Sequence, residues 1–245
     1  MSNNTTLQQE LDDYLKAAEQ GDAEAQYCLG DLYDLNYGRE LDGIAYIGGT
    51  YDDVWDDETS GAEWYEKAAV QGHTEAQFRL GRCYYYGWDV KQDYAQAVQW
   101  YKKAAELGHA KSQAYLGVCY YKGKGVEQDY AQAVDCFRKA EKENFMVALR
   151  YLGLCYYYGN GVEQNYAKAV EYFLLSADND YDYHCAILDG DYDELSLAIA
   201  QYHLALCYQN GYGVEQDEAK AKELFDLVAE YRTIELNEDG TLYIY

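Results

Sequence analysis

The sequence predicts an all-α solenoid, a stack of about five helical hairpins, and three observations carry that prediction. The segment Val90-Lys91-Gln92-Asp93-Tyr94-Ala95-Gln96-Ala97-Val98 returns at Val126 and, slightly altered, at Val162, each step being 36 residues. Apolar residues inside the period fall at helical spacing, and glycines recur where each such helix must stop. A fixed period of this length is the signature of stacked supersecondary units.

The other copies follow the same ruler. Trp64-Tyr65 recurs as Trp100-Tyr101, Cys136-Phe137 and Tyr172-Phe173. Val214-Glu215-Gln216-Asp217 lies 52 residues after Val162, one period plus 16, and Leu29-Gly30 precedes Leu80-Gly81 by 51, one period plus 15. Insertions therefore interrupt the first repeat, at about 37–60, and the step from the fourth to the fifth, at about 178–197.

Each period reads as two helices. Ala76, Leu80 and Tyr84 stand at i, i+4 and i+8, one apolar stripe. Gly87 ends that helix, and the later copies carry Gly123-Lys124-Gly125, Gly159-Asn160-Gly161 and Gly211-Tyr212-Gly213, suited to a left-handed helix stop. The second helix opens on Asp93 with Gln96 and on Asp129 with Gln132, the spacing of a capping box. Asn165 with Lys168 and Asp217 with Lys220 keep the cap and lose the box. Ala97, Trp100, Tyr101, Ala104 and Ala105 form the buried face of that helix. Gly81, Gly117 and Gly153 share one mid-helix phase, where glycine costs about 0.5–1 kcal/mol relative to alanine, so a partner helix must approach closely there.

Taken together, Ala-x-x-x-Leu-Gly-x-x-Tyr-x-x-Gly followed by Gly-Val-x-Gln-Asp-Tyr-x-x-Ala-x-x-Trp-Tyr-x-Lys-Ala-Ala-x-x-Gly-His resembles the Sel1-like repeat, a relative of the tetratricopeptide repeat. Ala76 to His109 carries nearly the whole motif, and weaker copies cover roughly residues 14–230. The resemblance implies a right-handed α/α superhelix whose first helices line a concave surface. It also implies a protein-binding scaffold or adaptor rather than an enzyme. The predicted division is a solenoid over 1–231 and a C-terminal β-hairpin or cap over 232–245, where Thr233-Ile234-Glu235-Leu236 and Thr241-Leu242-Tyr243-Ile244 flank Asn237-Glu238-Asp239-Gly240.

Charge narrows the partner. The chain carries a net −25, with 15 acids and 2 bases in residues 1–60, 13 and 14 in 61–177, and 16 and 3 in 178–245. Binding to nucleic acid or an anionic membrane needs Lys and Arg to displace counterions, so both classes are excluded as electrostatic partners. The excess favours a basic protein. No apolar run reaches the roughly 18 residues of a membrane span, and the first residues lack a basic-then-apolar leader pattern. The expected location is the cytoplasm, and nothing in the sequence sets an oligomeric state.

Catalytic and metal readings are weak. Cys83, Cys119, Cys155 and Cys207 share one repeat phase and read as small packing residues. Seven cysteines is an odd number, and reduced thiols fit best. Secreted relatives of the family place disulfide cysteines around the positions of Ala105 and Gln77, which are not cysteine here. His203 and Cys207 stand at i, i+4 with His184-Cys185 upstream, yet the spacing matches no zinc finger. Asp178, Asp180 and Asp182, like Asp189, Asp191 and Asp193, imitate the start of a calcium loop without its glycine or closing glutamate. No nucleophile elbow, phosphate loop or triad is present. The expectation is no enzyme, no cofactor and no metal.

The candidate binding residues fall into two sets. By the tetratricopeptide analogy, Phe78, Arg82, Tyr85, Tyr86, Tyr121, Lys122, Arg150, Tyr157, Tyr158 and Tyr202 face the concave groove. The insertions supply Tyr46, Tyr51, Asp52, Asp53, Trp55, Asp56, Asp57 and Glu58, and then Tyr181, Tyr183 and Tyr192. Aromatics among acids suit a basic protein, because Tyr, Trp and Arg dominate interface energetics. The reading is an acidic inhibitor or immunity-type protein that neutralises a basic partner such as a toxin. The rival is a general scaffold acting through the groove. Far-ultraviolet circular dichroism should be dominantly helical, with strand confined to the C-terminal hairpin and the insertions; a predominantly β spectrum overturns the repeat assignment.

Overall fold

In the computed structural model, residues 13–36, 60–143, 145–177, 194–229, 234–236 and 242–244 are described. Helix α1 covers residues 13–19. It is followed by α2 (Ala23–Asn36), α3 (Gly61–Val70), α4 (Thr74–Tyr86), α5 (Tyr94–Glu106), α6 (Ala110–Lys122), α7 (Tyr130–Glu141), α8 (Met146–Tyr158), α9 (Tyr166–Ala177), α10 (Glu194–Asn210) and α11 (Glu218–Ala229). Strands β1 (Ile234–Leu236) and β2 (Leu242–Ile244) pair antiparallel, with Ile234 opposite Ile244 and Leu236 opposite Leu242.

The helix starts follow from side-chain oxygens and nitrogens that accept otherwise orphaned backbone N–H groups. Asp93 Oδ1 accepts from Gln96 N at 3.0 Å, Asp129 Oδ1 from Gln132 N at 2.9 Å, Asn165 Oδ1 from Lys168 N at 3.0 Å and Asp217 Oδ1 from Lys220 N at 3.0 Å. Two of the first helices, α4 and α6, use a different cap. His73 Nδ1 accepts from Ala76 N at 3.1 Å, and His109 Nδ1 accepts from Ser112 N at 3.3 Å.

The loop inside each hairpin is closed by one recurring glutamine. Its Nε2 donates to the carbonyl at the end of the first helix: Gln92 to Tyr85, Gln128 to Tyr121, Gln164 to Tyr157 and Gln216 to Gln209, at 2.8–2.9 Å. Two glycines make the reversal possible. At Gly161 φ is +71°, and a Cβ would collide with the Tyr130 carbonyl at the start of α7. The matching position in the earlier loop is Asp89, which holds φ +57° despite its side chain.

The chain divides into two compact units, Met1–Ser112 and Gln113–Tyr245, the division falling within α6. In the first unit α2 packs on α3, α3 on α4 and α4 on α5; in the second α7 packs on α8, α8 on α9, α9 on α10 and α10 on α11. The same contact organises both. A Cβ on Gly81 would lie 2.6 Å from the Tyr101 ring, on Gly117 2.6 Å from Phe137, on Gly153 2.5 Å from Phe173, and on Gly30 2.5 Å from Tyr65. Those four rings are fully buried. The same phase is Ala205 in α10, and its counterpart Phe225 is only half-buried.

Of the second-helix face, Ala97, Trp100, Tyr101 and Ala104 are buried, and Ala105 is half-buried. In the first helices Tyr156 is buried, while Tyr84, Tyr120 and Tyr208 are half-buried beside it. Cys83, Cys119, Cys155 and Cys207 are buried. Burial pushes the Cys119, Cys155 and Cys207 thiols up to about 12. Gln77, at a position where secreted relatives of the resembled family carry a disulfide cysteine, donates from Nε2 to the Ala69 carbonyl of the preceding helix at 3.1 Å, as Gln26 does to Ala18 at 2.9 Å.

Gly117→Ala and Gly153→Ala should each lower stability by about 1–3 kcal/mol in chemical denaturation, because overpacking outweighs the propensity gain. Pairing Gly117→Ala with Phe137→Leu should cost less than the sum of the two single changes. Strict additivity would mean that ring and glycine are not the coupled pair. Mild reductant should leave the melting temperature unchanged; a large loss would indicate disulfides, worth about 2–4 kcal/mol each.

Candidate protein-docking surfaces

The groove residues expected from sequence separate into two groups. Phe78, Arg82, Tyr85, Arg150 and Tyr202 are between 0% and 8% exposed, which corrects their expected placement on a free surface. Phe78 packs 6.1 Å from Tyr101 and 5.1 Å from His109, and the Arg82 guanidinium lies 5.0 Å over Trp88. Arg150 lies 4.8 Å over Tyr151, and Tyr202 stands edge-on to Phe225 at 5.9 Å. These side chains are covered because a first helix is packed on both flanks, so this phase is partly interior. Tyr86, Tyr158 and Lys122 are exposed, and Tyr121 and Tyr157 are half-buried. Tyr46, Tyr51, Asp52, Asp53, Trp55, Asp56, Asp57, Glu58, Tyr181, Tyr183 and Tyr192 lie outside the described residues.

In the first unit the sequence reading missed a charged network crossing the first helices. His73 Nε2 lies 3.0 Å from Glu24 Oε2, and His109 Nε2 lies 3.0 Å from Glu75 Oε2. Since each Nδ1 accepts a backbone N–H, each Nε2 carries the proton and donates it to the carboxylate. Arg79 is ion-paired to Asp31 at 3.6 Å and to Glu75 at 3.5 Å, and the Tyr65 hydroxyl donates to Asp31 at 2.7 Å. Burial opposes the Arg79 charge, but Asp31, Tyr65, Tyr27 and Glu75 raise its pKa above the ordinary value. Burial likewise works against the Glu75 carboxylate, and His109 and Arg79 hold its pKa below the usual range. Every acid here has a cationic or donor neighbour, so the network joins hairpins rather than presenting free charge.

The second unit carries an aromatic strip at the loop end of its hairpins. Tyr157 stands edge-on to Tyr158 at 4.9 Å, to Tyr166 at 5.3 Å and to His203 at 5.4 Å. Tyr166 stacks on Tyr212 at 4.6 Å with planes 14° apart. The Tyr157–Tyr166 pair repeats Tyr85–Tyr94 at 5.2 Å and Tyr121–Tyr130 at 5.1 Å. That recurrence at one period was the available signal for Tyr166; no periodic signal marks Tyr212.

His203 underlies this strip. It is 7% exposed, its Nδ1 donates to the Ile199 carbonyl at 2.8 Å, and its Nε2 accepts from the Tyr158 hydroxyl at 3.1 Å. Both ring nitrogens are engaged, which leaves no lone pair for the zinc reading of His203 with Cys207. Among the described residues no cluster of His, Cys, Asp and Glu is arranged to hold a metal, and no helix is long and apolar enough to cross a membrane. Burial, with a contribution from the Arg150 charge, pushes the His203 pKa from the ordinary 6.5 down to about 4. The unfolded chain therefore takes up this proton first as pH falls, so stability drops between pH 6.5 and 4 and levels off below. Over that window the parent should lose roughly 3 kcal/mol relative to His203→Phe in matched denaturant titrations; parallel pH profiles would contradict the buried neutral imidazole.

Comparison with known proteins follows the geometry. The Sel1 repeat matches residues 14–22, 23–73, 74–109, 110–145, 147–181 and 198–230. No curated protein matches the chain. Among solved structures, the chain is similar to a Sel1 repeat protein from Oxalobacter formigenes, with 28% identity and a TM-score of 0.65, covering 94% of this chain and 82% of that one. It is also similar to c5321, a protective antigen of uropathogenic Escherichia coli with an SLR fold, at 32% identity and a TM-score of 0.59; 90% of this chain corresponds to 48% of that one. A Sel1 repeat protein from Klebsiella pneumoniae gives 24% identity and a TM-score of 0.52 over 89% of this chain and 90% of the other, which speaks to fold alone. With six matched segments covering most of the helices, the chain belongs to the Sel1 repeat family.

Proposed function

We propose that this chain is a non-enzymatic protein-binding module and, within that class, an acidic inhibitor of the immunity type that neutralises a basic protein partner such as a toxin. The observation that carries the reading is the charge distribution, 15 acids against 2 bases in residues 1–60 and 16 against 3 in residues 178–245. Fields of one sign steer an oppositely charged protein and suppress wrong partners. Family membership supports a binding role, and buried thiols with pKa values about 12 hold no nucleophile at neutral pH. Buried cysteines fit a reducing, cytoplasmic setting. In this reading residues 1–231 are the binding solenoid, its hairpins wound right-handed in about five repeats, and 232–245 cap its end.

A second reading is a general scaffold that assembles complexes through the first-helix tyrosines. It is favoured by Tyr86 and Tyr158, whose rings are 42% and 54% exposed.

Partners recovered from the native cell, followed by binding kinetics, separate the two. If the acidic insertions act, the partner is basic, and neutralising Asp52, Asp53, Asp56, Asp57 and Glu58 together slows association and flattens its salt dependence. Trp55→Ala then acts chiefly on dissociation, costing about 2 kcal/mol or more. If the scaffold reading holds, Tyr86→Ala and Tyr121→Ala weaken binding and the insertion variants behave like the parent. An acidic partner would overturn the inhibitor reading.

A further inference from the structure

Tyr158 combines two properties that rarely coincide. Its ring is 54% exposed, yet its hydroxyl is fixed by a buried group. His203 gives its Nδ1 proton to Ile199, so its Nε2 can only accept, and the Tyr158 hydroxyl must point inward to donate. The ring is therefore held edge-to-face with Tyr157 at 4.9 Å and with the imidazole at 5.9 Å, and more than half of the residue stays open to solvent. Tyr212, 38% exposed, is held in the same manner by stacking on Tyr166. Exposed rings whose order is already fixed by the fold lose little entropy on binding, as interface anchors require.

The charge beside these rings selects the occupant. The two loops that bracket them, residues 159–166 and 209–218, contain Glu163, Glu215, Asp217 and Glu218 and no Lys or Arg. Glu163 and Glu215 are exposed, each next to the glutamine that closes its loop. Arg150, whose charge His203 feels, is only 4% exposed and offers no cation at the surface. Asp217 is engaged as a helix cap and with Lys220 at 3.7 Å, which leaves the exposed Glu163 and Glu215. Exposed tyrosines with such carboxylates in their loops suit a guanidinium, which stacks on a ring and pairs with a carboxylate in one plane. An ammonium, a compact hydrated point charge, satisfies the second demand better than the first.

We propose that Tyr157, Tyr158, Tyr166 and Tyr212, with Glu163 and Glu215, form a docking strip for an arginine-bearing extended segment of the partner. The assignment rests on the basic-partner reading and gives it a site at the loop end of the hairpins of the second unit.

The test uses the full chain and two synthetic probes, octa-arginine and octa-lysine, titrated calorimetrically at about 0.15 M salt, where long-range attraction is screened. The parent should bind octa-arginine several-fold more tightly than octa-lysine. Tyr158→Ala with Tyr212→Ala, which changes no charge, should weaken octa-arginine about tenfold and erase that preference. Glu163→Gln with Glu215→Gln, at exposed positions where folding is not at risk, should weaken it about threefold. If the tyrosine pair binds octa-arginine like the parent, or the glutamate pair does, the strip is wrong while the basic-partner reading stands. If the parent binds neither probe, both fail.

Discussion

The structure depends on an absence, the missing Cβ at one phase of each first helix. Gly30, Gly81, Gly117 and Gly153 let an aromatic ring of the following helix lie against bare backbone, and the rings so admitted are among the most deeply buried large side chains of the described residues. The exchange is favourable. Glycine in mid-helix costs about 1 kcal/mol, whereas burying a ring of this size removes on the order of 150–250 Å² from water. At roughly 25 cal/mol per Å², that is worth several times the propensity loss. Ala205 marks the limit of the device, since the ring at its phase, Phe225, stays half-buried.

Fixing the distance between two helices of a hairpin also fixes their loop. With the helices held close, the turn has room for only a few residues, and two of them must take positive φ. The loop glutamine then spans from its own turn to the carbonyl of the penultimate residue of the first helix, four times over. Tyr85, Tyr121 and Tyr157 supply three of those carbonyls and meet the first tyrosine of the next helix edge-on. The side-chain placement that matters for recognition is thus a consequence of glycine–ring packing, transmitted through a backbone hydrogen bond.

Much of this was legible in the sequence because it repeats. The 36-residue period exposed the hairpin unit, the glycine phase announced the close approach, and Asp93, Asp129, Asn165 and Asp217 marked helix starts that the structure places at those residues. What repetition could not reveal lies at positions that differ between copies. The phase of Phe78 is Arg150 in one repeat and Tyr202 in another, and all three are buried among different neighbours. An analogy based on phase assigns them one fate, while burial depends on what the flanking hairpin brings. His73 and His109 escaped for another reason: an imidazole nitrogen can cap a helix, but histidine also fits a turn, and only the contacts to Glu24 and Glu75 reveal the cap orientation.

In the proposed encounter with a basic partner, charge and rings act at different stages. Carboxylates in the two acidic ends set a long-range field that brings a basic surface near, and salt screens them within about 10 Å. Rings pinned from beneath act only at contact, where they cost little to order and little to desolvate. The ionic network of the first unit chiefly joins hairpins, since its carboxylates are already hydrogen-bonded or ion-paired to Arg79 and the histidines. Its acids are therefore not interchangeable with those of the loops, although a charge count treats them alike. A negative total of 25 says how strongly a partner is drawn; which exposed carboxylates share a loop with an exposed tyrosine decides where it settles.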